Sequence, residues 1–451
     1  MLINPISKKK FDIFVGFSRK MQLPFFSEVA WFSNKDESIL ATIIKDCQDE
    51  DYSVVLLGRD EIGRFRNFCD CPSFYSIDDA INCIEDKCKA LDKKKIFPQF
   101  DCTNKPMNLF QDVVSSEKLN SNYINLKEKK EWFCAKRVIE EITPHFFDVD
   151  GNFIQQFQTT GFDQRVWELF LFSYFSEEGL TIDKTHNAPD FILSIGDESV
   201  CIEATSLSRR KKQLSSEYKV PNIAYLQNEM PILWSGALHD KLSKLTFESK
   251  NRKKTHYWEK SFTSGKPFAI AIQDFHDDFS MTWSFDSLTE LLYGIRCFQN
   301  PESPKIQTEK IDYYTKSNGT KIPSGLFFTH PESKNLSAVI TCPIGTLSKF
   351  NRIGKQAGFD VYDTTMFCKG LCYNREPNAT TPNMFEYFIT GTENESWSTG
   401  VNVFHNPTAM FPLPENFFIH AAHHHFENGQ IKSIIPPFHP FSMITNLFPK
   451  G

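Results

Sequence analysis

The chain is expected to fold as an α/β protein of the α+β kind: a mixed sheet flanked by helices, with additional N-terminal α/β and C-terminal regions. Three stretches carry this expectation. Residues 162–178 are apolar nearly all round, which suits a helix buried on most sides. Phe191-Ile192-Leu193-Ser194-Ile195 and Ser199-Val200-Cys201-Ile202 are β-forming runs. Between them stands Gly196-Asp197, a Gly-first pair that suits a two-residue type II′ turn. Phe268-Ala269-Ile270-Ala271-Ile272-Gln273 reads as a further buried strand.

Taken in order, residues 1–100 read as a small α/β unit. Residues 11–17 and 29–32 have strand character, and 36–48 read as a helix. Residues 53–59 and 63–68 form an expected hairpin around Asp60-Glu61, and 77–92 an amphipathic helix. Residues 101–126 are polar and read as a linker. Residues 127–295 form the expected core, opened by a helix over 128–142. In this core 181–186 is the first strand and the hairpin supplies the second and third. Leu238, Leu242 and Leu245 then fall at helical spacing. Residues 296–451 form a C-terminal region in which 325–329 and 336–341 are expected strands extending the core sheet. Lys349-Phe350-Asn351-Arg352 reads as core packing with a surface pair rather than a nucleic-acid contact. Residues 360–440 are rich in Pro, Asn and Phe, with weak periodicity.

Chemistry concentrates between Phe162 and Thr205. Glu168 sits on the apolar helix, with Phe172 and Phe175 on its own stripe. A carboxylate there needs a partner or a raised pKa; the simplest alternative to a functional role is a buried Glu satisfied by an Arg or a helix end. Asp190 and Glu203 flank the hairpin. The II′ turn sets a register in which Ile195 meets Glu198 and Asp190 meets Glu203. Directly opposed Cβ atoms lie about 4.5–5.5 Å apart. Two carboxylates so placed repel unless a cation lies between them. Mg²⁺ suits a site with a few carboxylates plus water and substrate phosphate. Thr205, two residues on, points to the same face as Glu203.

A helix Glu, then Pro189-Asp190, a hairpin and Glu203-Ala204-Thr205 resemble the PD-(D/E)xK, or restriction-endonuclease-like, nucleases. The resemblance covers residues 162–205 and, by order of elements, reaches the 268–273 strand. It implies a restriction-endonuclease-like mixed sheet. It implies Asp190 and Glu203 as ligands of Mg²⁺ or Mn²⁺, the Ala204 carbonyl as a further ligand, and Glu168 as an accessory acid. The family's lysine position holds Thr205, which lacks the positive charge that would stabilise a developing hydroxide. Some members of the superfamily carry the basic residue on the following helix. Lys241 stands there, four residues from Ala237 and from Leu245 and on their side of the helix. The simpler reading is a surface lysine.

Net charge is −6, so composition does not advertise nucleic-acid binding. Between residues 201 and 260, however, twelve Lys and Arg stand against six Asp and Glu. The surplus lies in Arg209-Arg210-Lys211-Lys212 and in Arg252-Lys253-Lys254, both downstream of the acidic motif and both expected to meet a phosphate backbone. No apolar run is long enough to span a bilayer. No apolar region follows the basic N-terminus, so no signal peptide is expected. The 12 Cys lack a disulfide or zinc-ribbon spacing and read as the reduced thiols of a cytoplasmic protein. No P-loop or Gly-x-Ser-x-Gly elbow occurs. His420, His423 and His424 would share one face of a helix and offer metal ligands, but the flanking Pro and Phe favour a packed loop.

The expected function is a metal-dependent endonuclease hydrolysing DNA phosphodiesters, in a setting such as restriction or anti-phage defence. The alternative is a catalytically inactive nucleic-acid-binding or assembly module of the same fold, marked by Thr205. A third reading has the three carboxylates satisfying buried cations. The expected partner is DNA, with no membrane; a homo-oligomer or a regulating partner protein is compatible with the chain.

Overall fold

The computed structural model describes residues 3–19, 25–91, 94–101, 107–209, 221–247, 254–299, 306–376, 379 and 381–448. The expected mixed α/β architecture is present. From edge to edge, the eight strands of the central sheet are Gln430–Ile434, Ala422–Glu427, Asn402–His405, Ala338–Thr341, Phe268–Asp274, Glu198–Leu207, Phe191–Ile195 and Thr181–Asp183. Phe268–Asp274 runs parallel to both of its neighbours. Parallel neighbours need long crossovers, and the helices Met230–Leu242 and Phe285–Tyr293 lie within them.

Side chains alternate between the two faces of these strands. Ile202, Ala204, Ala269, Ala271 and Ala338 belong to one core, which includes the helix Phe162–Glu177. Cys201, Ile270, Ile272, Val339 and Phe404 belong to a second, which includes Met230–Leu242 and Phe285–Tyr293. Each buried Leu or Phe contributes about 1.5–3 kcal/mol. Trp167 donates its Nε1–H to the Ala271 carbonyl at 3.2 Å, which ties the Phe162–Glu177 helix to the central strand. Helix Leu347–Gln356 packs on Phe133–Ile142 at Gly354. A Cβ there would lie 2.6 Å from the Cys134 carbonyl oxygen, so only glycine permits this approach.

The N-terminal unit is a five-stranded antiparallel meander, with helix Ile77–Leu91 burying Ala80, Ile84 and Cys88 in the same core as its strands. The hairpin around Asp60-Glu61 forms as expected. Two expectations fail. Residues 11–17 belong largely to a helix, Lys8–Val15, whose start is set by Ser7 accepting from the Lys10 N–H. Residues 36–48 hold a strand, Ile39–Asp46. It is hydrogen-bonded on both sides and buries five consecutive residues, which removes the alternation that marks a strand in sequence.

The expected linker also contains structure. Helix Ser121–Glu128 starts at Asn120, whose side chain accepts from Asn122 and Tyr123, and it buries Tyr123 and Leu126 completely. In the C-terminal region 336–341 supplies the expected strand, Ala338–Thr341. Residues 325–329 instead form a short helix entered through Gly325 at φ 67°. Lys349 and Arg352 are buried in Leu347–Gln356. Lys349 donates to the Trp397 carbonyl at 2.9 Å, and Arg352 grips Glu395 at 2.6 and 2.8 Å. These cations serve the core and are not on the surface. A separate three-stranded antiparallel sheet joins Asn383–Phe388, Thr365–Cys372 and Pro440–Phe448. No helix among the described residues is long and apolar enough to cross a membrane.

Candidate active site at the end of the hairpin

The hairpin forms in the expected register. Ile195 pairs with Glu198 and Phe191 with Ile202. Gly196 has φ 55°, while Asp197 keeps a negative φ, which is the II′ pattern. The ladder ends at Phe191, so Asp190 and Glu203 stand opposite each other just beyond it. The Asp190 carboxylate accepts the Ala204 N–H at 2.7 Å. In an antiparallel ladder a residue's N–H and C=O face the same neighbour, so the Ala204 carbonyl faces the Asp190 edge too.

Glu203 is 4% exposed. Its Oε1 accepts from Lys241 Nζ at 2.7 Å and from the Tyr257 hydroxyl at 2.8 Å. Its Oε2 is buried with no hydrogen-bond partner among the described residues. Burial, reinforced by Asp190, pushes the Glu203 carboxyl up to about 7 against the opposing pull of Lys241 and Tyr257. Burial works to lower the Lys241 ammonium, but Glu203 and Asp190 outweigh it and hold it above the usual lysine value. Lys241 therefore meets the acid pair from the following helix, as the sequence allowed. Thr205 follows on the same strand, 9% exposed.

Glu168 approaches from the other face of the sheet. Arg165 Nη1 contacts both of its oxygens at 2.7 Å, and Gln164 adds a bond at 3.2 Å. The alternative of a buried Glu satisfied by an Arg is therefore realised at this residue. Burial and then Asp190 raise the Glu168 carboxyl, with Lys184 and Arg165 opposing. Glu168, Asp190, Arg165, Lys184 and His186 line one small cavity open to the surface. Lys184 lies over the rings of Phe191 and Phe146, 4.0 and 4.3 Å from their centroids. Burial lowers its ammonium although Glu168 and Asp190 pull it upward. Asp190, past the strand end, thus couples electrostatically to carboxylates on both faces.

The three carboxylates do not bring all their ligand atoms within 4.8 Å of one another. Glu168 and Glu203 lie on opposite faces of the sheet, and each is paired with a cation of its own. Mg²⁺ still fits Asp190 and Glu203 in donor chemistry: two adjacent carboxylates, one with a buried oxygen lacking a partner among the described residues.

The expected phosphate-binding residues divide. Arg210, Lys211, Lys212, Arg252 and Lys253 lie outside the described residues. Arg209 is paired with Asp163 at 3.3 Å and also with Asp278, so its charge is already met. Lys254 is exposed in a two-residue strand, with its ammonium 5.2 Å from the Phe247 ring centroid.

Sequence reasoning missed four side chains here: Arg165, Lys184, Tyr257 and Lys260. Arg165 stands three residues before Glu168, a pairing distance on a helix, and was legible in principle. Lys260, 3% exposed, donates to the Ala188 carbonyl at 2.7 Å beside Pro189. Tyr257 and Lys260 follow the basic run with no periodic signal. Compared with protein-family models, curated proteins and solved structures, the chain matches none of them.

Proposed function

We propose that the chain is a metal-dependent endonuclease acting on DNA, with a restriction-endonuclease-like core. The order of elements supports the fold: an apolar helix, an antiparallel hairpin, then a helical crossover to a parallel central strand. The observation that carries the function is Lys241 Nζ, 2.7 Å from Glu203 and on the helix after the acidic strand. It supplies beside the acid pair the cation that Thr205 cannot.

Asp190 and Glu203 would hold Mg²⁺ or Mn²⁺, with the Ala204 carbonyl as a further ligand. When bound, the ion polarises the scissile phosphate and lowers the pKa of the attacking water. Lys241 holds positive charge where negative charge builds on the phosphate. The Tyr257 hydroxyl fixes the Glu203 rotamer by its hydrogen bond. Glu168 orients water in the cavity it shares with Asp190. A role in restriction or anti-phage defence rests on the sequence resemblance alone.

One observation favours a second reading. Glu168 and Glu203 already hold Arg165 and Lys241, and Thr205 occupies the motif's lysine position. Such a site suits an inactive nucleic-acid-binding or assembly module. Plasmid DNA incubated with Mg²⁺ or Mn²⁺ and wild type, Asp190→Ala or Glu203→Ala separates the two. Cleavage by wild type alone supports the nuclease. Binding without cleavage in either metal supports the inactive module. Neither binding nor cleavage overturns both.

A further inference from the structure

The run His423-His424-His425 lies in a strand, Ala422–Glu427, not in a helix or a loop. Period-two alternation then separates His424 from His423 and His425. It also detaches His420, which precedes the strand and bonds Glu178 at 3.1 Å. The expected set of His420, His423 and His424 therefore does not form. A different set does.

Ala422–Glu427 pairs in parallel with Asn402–His405, and Phe404 meets His424. The next residue of each strand, His405 and His425, falls on the face shared with His423. One ring nitrogen from each of His405, His423 and His425 lies within 4.8 Å of the others. Among the described residues this is the one group of three or more His, Cys, Asp or Glu to converge so closely. His405 and His423 are 9% and 7% exposed, and His425 is half-buried. His405 and His425 stack with centroids 4.2 Å apart.

The hydrogen bonds distinguish these rings from their neighbours. His424 is saturated by Asn402 at 3.0 Å and Ser433 at 2.8 Å, and His439 shares Asn402 at 3.1 Å. In the trio, His423 Nε2 meets the Phe418 carbonyl at 2.8 Å. A carbonyl only accepts, so Nε2 carries the proton and Nδ1 carries a lone pair. That lone pair faces His405 Nε2 at 2.8 Å. Metal-bound histidines characteristically donate their second N–H to a carbonyl or carboxylate in this way.

We propose that His405, His423 and His425 form a binding site for a borderline divalent transition metal of the zinc class, separate from the acidic site. His423 ligates through Nδ1 and His405 through Nε2, whose proton moves to its Nδ1 by a change of tautomer. Tetrahedral bonds of 2.0–2.1 Å place two imidazole nitrogens about 3.3 Å apart, so the 2.8 Å pair opens by about half an ångström. Three imidazole nitrogens select zinc, cobalt or nickel over Mg²⁺. The fourth position is left to water or another small ligand. The ion links two adjacent strands near one edge of the sheet.

The test uses the untagged full chain, stripped with chelator and titrated with Zn²⁺ and, by absorption, Co²⁺. Wild type is expected to bind one equivalent, with visible bands of tetrahedral Co²⁺ that Zn²⁺ removes and a raised thermal midpoint. His425→Ala, at the half-buried position, should weaken Zn²⁺ at least tenfold and abolish the bands. His420→Ala, outside the trio, and Asp190→Ala should keep both. Wild type that takes up no Zn²⁺, or a His425→Ala variant binding as wild type does, overturns the proposal.

Discussion

Glu203 and His405 stand on adjacent rows of one sheet, three strands apart and on opposite faces. Each is the centre of a buried polar cluster, and the two clusters are stabilised in opposite ways. The acidic cluster brings its own countercharges: Arg165 on Glu168, Lys241 on Glu203, and Lys184 beside Glu168 and Asp190. The imidazole cluster is held by a chain of hydrogen bonds from His405 through His423 to the Phe418 carbonyl. A cation entering the first must share carboxylates with resident lysine and arginine. A cation entering the second needs only one proton to change nitrogen. The first site thus suits a hard ion that arrives with substrate phosphate, and the second a resident borderline ion.

The largest effect should come from cutting the comparison in two. Under the proposed function, Asp190→Ala or Glu203→Ala should lower DNA cleavage roughly 10⁴-fold, since each would remove a ligand of the ion that would activate water. Both variants should keep wild-type Zn²⁺ affinity. If Glu203→Ala also lost Zn²⁺, the two sites would not be independent. If it kept cleavage, the acidic cluster would be structural.

Lys241→Ala comes next. Loss of one preorganised positive group at the reacting phosphate should cost about 10²–10³-fold in kcat, with fold and DNA binding retained. It also strips Glu203 of one of the two groups that hold its carboxyl down, so any residual rate should need a higher pH. Full activity in Lys241→Ala would end the idea that this lysine replaces the one missing at Thr205. Lys241→Arg tests the geometry: it keeps the charge but not the compact ammonium.

These two tests use residues that sequence reasoning found, and the reason is physical. Asp190 and Glu203 stood out because carboxylates on apolar elements demand a partner. Their register followed from Gly196 at the first turn position, where a positive φ costs least. Ile39–Asp46 does not read as a strand in sequence because a central strand buried on both sides loses its alternation. The imidazole trio was hidden for a different reason. Which histidines share a face depends on whether the period is 2 or 3.6, and His405 reaches His425 only through a parallel pairing that no local signal encodes. Tyr257 and Lys184 meet their acids through tertiary packing alone.

The pH dependence sharpens the contrast further. Glu203, raised to about 7, is protonated in the folded chain below that pH, and a metal must displace the proton. Mg²⁺ or Mn²⁺ affinity should therefore fall by about tenfold per unit as pH drops below about 7, and level off above it. Burial lowers His405 to about 3, so this ring of the trio presents no imidazolium to Zn²⁺ anywhere from pH 6.5 to 8.5. The same shift has a sign in metal-free stability. A carboxyl raised on folding contributes fully below its unfolded value of 4.5, and that contribution is lost as pH rises through about 7. Glu203→Gln should flatten this slope in denaturation curves. A flat wild-type profile in both measurements would mean that Lys241 keeps Glu203 ionised throughout.

The smallest effect should be at Arg209, and its smallness is informative. By sequence, Arg209 opens the basic run that was expected to meet a phosphate backbone. In the fold it is held between Asp163 and Asp278, the same internal neutralisation seen at Glu168 and Glu203. A side chain that contacts one phosphate contributes about −0.9 to the slope of log affinity against log salt. Arg209→Ala should leave that slope unchanged, because the residue enters binding with its charge already paired. Lys254→Ala, exposed and opposed by no carboxylate in a described ion pair, should make the slope shallower by about 0.9 if the segment touches DNA. Equal losses in the two variants would show that DNA breaks the Arg209 pairs on binding.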